Sequence, residues 1–116
     1  NPMLEELQLV LPPPVEASQL MGLASQIEEA LQSRVLQMVG TWQEGTVMTI
    51  ILPEVKSLAC MLHLLGNLPG IEATAEHPPT DAVSRQLLQR AEAIPRLNNR
   101  IRKTIFLSVE KNWSWE

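Results

Sequence analysis

Cys60 and His63 are the first residues whose types and spacing could do chemistry. On a helix a spacing of three puts a thiol and an imidazole on one face. Such a pair can ligate a metal or pair a thiolate with a base. A structural zinc site takes four ligands and a catalytic one three. His77 is the only other histidine. A cysteine nucleophile also wants a third group to orient its base, and the sequence offers no evident one. The pair therefore reads as a packing cysteine beside a surface histidine. Glu5-Glu6 and Glu28-Glu29 are adjacent carboxylates, but neighbours on a strand or helix point in different directions. They read as solvated faces rather than acid/base pairs. Gly22, Gly40, Gly45, Gly66 and Gly70 are scattered, so there is no phosphate-cradling loop. No Gly-x-Ser-x-Gly elbow occurs. The expectation is a chain that is not an enzyme and uses no cofactor or metal.

Charge is the stronger signal. The 116 residues carry a formal −4, but that average hides a split. Residues 1–79 hold Arg34 and Lys56 against nine glutamates, net −7. Residues 80–116 hold seven basic residues against four acidic ones, net +3. Such asymmetry predicts two parts, joined at His77-Pro78-Pro79-Thr80. The cluster Arg96, Arg100, Arg102, Lys103 is the best electrostatic feature. It can dock on the chain's own acidic half or on a partner. It can also form a solvated face, or meet nucleic acid or a membrane surface. Docking is favoured, and four charges are few for nucleic acid. Pro12-Pro13-Pro14 could serve as a polyproline ligand, but a strand-to-helix connector explains it. Trp113 and Trp115 could dock back, pack in an oligomer, or open a following domain.

The elements follow from hydrophobic period. Leu7, Leu9 and Leu11 alternate with Glu6, Gln8 and Val10, which predicts a half-buried strand that the prolines end. Leu20, Leu23, Ala24, Ile27, Ala30 and Leu31 mark an amphipathic helix. Residues 34–42 and 46–52 predict two strands around Gln43-Glu44-Gly45. A second helix opens at Pro53-Glu54, with Val55, Leu58, Leu62 and Leu65 as its buried stripe and Gly66-Asn67 as its stop. Ile71, Ala73 and Ala75 predict a fourth strand. Thr80 is a candidate cap for a third helix whose stripe is Val83, Leu87, Leu88, Ala91 and Ile94, ended by Pro95. Beyond it, Leu97, Ile101, Ile105, Val109 and Trp113 recur every four residues, whereas Ile105, Leu107 and Val109 alternate. Five matches outweigh three, so the segment 97–113 predicts a helix. Met21, Met38, Met48 and Met61 fall at apolar positions and read as core filling.

The order β-α-β-β-α-β is the split, ferredoxin-like arrangement. The fold class is therefore α+β. It is an antiparallel sheet with two helices on one face over residues 1–79, with a mainly helical C-terminal extension over 80–116. That extension could start a further domain. The hairpin around Gly45, the second helix and the exit Leu68-Pro69-Gly70-Ile71 resemble ACT and Lrp-type effector domains over residues 5–77. That resemblance implies dimerisation, or a small-molecule effector held at a subunit interface. In ACT domains the first strand-helix loop carries an acidic residue and a glycine. Here it reads Pro12-Pro13-Pro14-Val15, with neither. A metal-chaperone variant would need Cys-x-x-Cys in that loop. An RNA-binding variant would need aromatics on the central strands, and Thr46–Leu52 has none.

The expected function is a non-catalytic regulatory or protein-interaction module, dimeric and part of a larger signalling or transcription protein. Its contact surface would be the open sheet face (Val35, Val39, Val47, Thr49, Ile51) or an edge strand, with Arg96, Arg100, Arg102 and Lys103 as the charged contact. The partner would be a second copy or another protein, with an effector as the alternative. The chain begins Asn1-Pro2 rather than Met, which reads as a processed product or a piece of something longer. A single cysteine suits a reducing, cytoplasmic location. The longest apolar runs fall far short of the ~20 residues of a membrane span.

Overall fold

The computed structural model describes residues 5–41, 43–75, 79–96 and 101–110. In chain order the elements are β1 (Glu5–Leu11), α1 (Ala17–Leu31), β2 (Arg34–Thr41), β3 (Gly45–Leu52), α2 (Leu58–Gly66), β4 (Ile71–Thr74), α3 (Ala82–Ala93) and β5 (Arg102–Val109). All five strands join one sheet in the order β2-β3-β1-β5-β4. β1 is antiparallel to β3 and parallel to β5, so the sheet is mixed rather than antiparallel. In a βαββαβ fold the last strand lies beside the first. Here β5 occupies that place and β4 is displaced to the edge.

The helix expected over 97–113 is therefore corrected: Arg102–Val109 is a strand. Ile105, Leu107 and Val109 pack into the core beneath α1 and α2, while Phe106 points into a second cluster on the opposite face. A strand with both faces covered must be apolar on both, and every-fourth spacing is then a by-product of a continuous apolar run. Leu97 and Trp113, the ends of the expected helix, lie outside the described residues.

The larger core joins Leu7, Leu9 and Leu11 of β1, Met48, Ile50 and Leu52 of β3, and Ile105 and Leu107 of β5. Against them pack Leu23, Ile27 and Leu31 of α1 and Met61 and Leu65 of α2. The smaller cluster joins Val10, Val47 and Phe106 to Leu87 and Ala91 of α3. The expected open sheet face is thus roofed in part by a third helix, making three layers. Gly45 sets how close that roof comes. A Cβ there would sit 2.6 Å from Leu87 Cδ2 and 2.8 Å from the Leu11 carbonyl oxygen, and its φ of +96° disfavours any side chain.

The helix boundaries follow local caps. The Gln19 side chain accepts the Glu16 amide at 3.1 Å before α1, and left-handed Gln32 ends that helix. Pro53–Ser57 is not helical. α2 starts at Leu58 because the Ser57 hydroxyl accepts the Cys60 amide at 3.1 Å. Val55, expected in the buried stripe, is exposed in consequence. For α3 the cap is Asp81 rather than Thr80, with its carboxylate accepting the Ser84 amide at 3.0 Å. That amide holds the Asp81 carboxyl below its ordinary pKa. Val83 faces solvent, and Ser84, Leu87 and Ala91 line the buried side.

Candidate functional site

The expected contact residues divide between the two faces. Val47 and Thr49 are buried on the α3 side of β3, so neither is an open contact surface. Ile51 is half-buried on the same strand. Val35 and Val39 share parity and were expected on one face. A register shift between Val35 and Gln37 separates them, because the bulge at Leu36 sets two residues against one. Val35 packs with the α1/α2 core. Val39 pairs with Val47 in register and stays partly exposed.

The basic cluster is also divided. The Arg102 side chain is only 7 % exposed and donates from Nε to Glu6 Oε1 at 2.6 Å. Its other nitrogens reach the carbonyl oxygens of Ala91 at 3.3 Å and Pro95 at 3.0 Å, at the C-terminal end of α3. A guanidinium there satisfies the carbonyls a helix leaves open and complements its dipole. Buried Gln8 donates to the same Ala91 oxygen at 2.8 Å. On the opposite face Lys103 Nζ meets Glu5 Oε2 and the Lys56 carbonyl oxygen, both at 3.0 Å. These two cations are spent within the fold, on the chain's own acidic first strand, and do not form a free basic surface. Arg96 is exposed, and Arg100 lies outside the described residues. A third pair, missed in the sequence, joins Arg90 of α3 to Glu44 of the hairpin through two bonds of 3.0 and 3.1 Å. The bonded guanidinium lowers the Glu44 pKa, and the carboxylate raises that of Arg90.

Cys60 and His63 lie exposed on α2, and Asn67 is 3.4 Å from the imidazole Nε2. His77 lies outside the described residues. Among the described residues no three His, Cys, Asp or Glu side chains converge on a metal-sized site. No helix among them is long and apolar enough to cross a membrane. One hollow of about 420 Å³ lies at the end of α3, lined by Gln8, Ile94, Arg96, Arg102 and Thr104. Another, of about 360 Å³, lies between β4 and β5 at Gly70, Glu72 and Ser108. Neither adjoins the Pro12–Val15 loop.

What remains open is the edge of β2 past Val35, whose amide donates to the Glu28 carboxylate at 2.8 Å. Seven of its eight residues are exposed and Val35 is half-buried. Leu36, Met38 and Val39 are large apolar side chains in contact with solvent. Met38 and Met21 were expected in the core. Met48 and Met61 are there, but Met21 is 73 % and Met38 45 % exposed. No family model, curated protein or solved structure matches the chain. The β2 edge is thus read from its own chemistry. Between Val35 and Thr41 it has no charged residue, no lysine and no proline, the usual means of blocking an exposed sheet edge.

Proposed function

We propose that the chain is a non-catalytic protein-interaction module that offers the outer edge of β2 to an extended partner strand. The carrying observation is that edge: eight residues, outermost in the sheet, uncharged after Arg34, with Leu36, Met38 and Val39 exposed. Backbone groups of an added strand would supply affinity, and the apolar side chains would supply selectivity. A regulatory role within a larger signalling or transcription protein, in a reducing cytoplasmic setting, belongs to the same reading.

The test is amide exchange on the intact chain, dilute enough to be monomeric, with a synthetic peptide of residues 34–41 added in excess. The expected result is new protection confined to residues 35–41. A control peptide N-methylated on its pairing face should give none. Unchanged exchange along β2 at saturating peptide would reject the reading.

A further inference from the structure

We draw no further inference here: the strongest candidate, the hollow of about 420 Å³ at the C-terminal end of α3, has its buried cation, Arg102, already bonded to Glu6 and to the Ala91 and Pro95 carbonyl oxygens and is rimmed by exposed charges of both signs, Arg96 and Glu92, so nothing in the structure selects a ligand for it.

Discussion

β1 and β2 run in the same direction on either side of β3, and their sequences are close cousins: Glu-Glu-Leu-Gln-Leu-Val-Leu against Arg-Val-Leu-Gln-Met-Val-Gly-Thr. All seven residues of β1 are buried; seven of the eight in β2 are exposed. Local composition does not explain the difference. β1 is covered because α1 and α2 lie on one face, α3 lies on the other, and β5 pairs with its free edge. β2 has no strand beyond it; the Glu28 carboxylate takes the Val35 amide at its start, and the rest of the strand is exposed. What a strand becomes here depends on segments that arrive later in the chain. Past Val35 the strand is left uncovered and without a charge of its own, and the proposed addition of a partner strand rests on that stretch.

The sharpest way to break the contrast is to unpair the charge that β1 buries. Arg102→Met leaves Glu6 fully buried without its guanidinium and also removes the side-chain donor to the Pro95 carbonyl oxygen, while the Ala91 oxygen keeps Gln8. Removing one member of a buried pair costs about 3–5 kcal/mol. Adding Glu6→Leu to that variant should recover most of the loss, since an apolar pair of similar volume can replace a buried ion pair. Urea unfolding reads both. If the single variant is nearly as stable as wild type, β5 is not held beside β1 by this pair.

A matched pair of truncations compares the strands directly. Leu9→Ala removes a fully buried side chain from the larger core and should cost about 2–5 kcal/mol. Met38→Ala, measured dilute enough to keep the chain monomeric, should stay within about 0.5 kcal/mol of wild type. Equal losses would mean that β2 is covered in the folded monomer, which would remove the basis for strand addition.

Much of the first 75 residues was legible because period and punctuation agree there. The hairpin turns at Gly45, α1 carries an unbroken stripe, and α2 stops at Gly66-Asn67. β5 was misread because a strand buried on both faces loses the alternation that marks strands, and its run also satisfied a helical spacing. The fate of β1 was hidden for the same reason: Glu6 and Gln8 look like a wet face until Arg102 and Ala91 arrive to bond them. The open edge had no local signal at all. Met21 and Met38 sit at apolar positions indistinguishable in sequence from those of Met48 and Met61, and only strand order separates them. The bulge at Leu36 moved Val35 and Val39 to opposite faces, a shift that strict alternation cannot foresee.

The smallest expected effect concerns the hairpin end of β2, where α3 holds Glu44. The Arg90 guanidinium bonds both carboxylate oxygens and lowers the Glu44 pKa below its ordinary value. A carboxyl whose folded pKa is depressed contributes stability above its unfolded pKa, about 4.3 for glutamate. It loses that contribution as pH falls through the lower, folded value. Wild type should therefore melt slightly above Glu44→Gln at neutral pH, and the gap should close on acidification below about pH 4. Because the pair is exposed, the gap should also shrink in high salt. Asp81 also titrates low, but it is common to both proteins and cancels in the difference. A gap that persists unchanged at low pH would show that Glu44 holds the hairpin through something other than its charge.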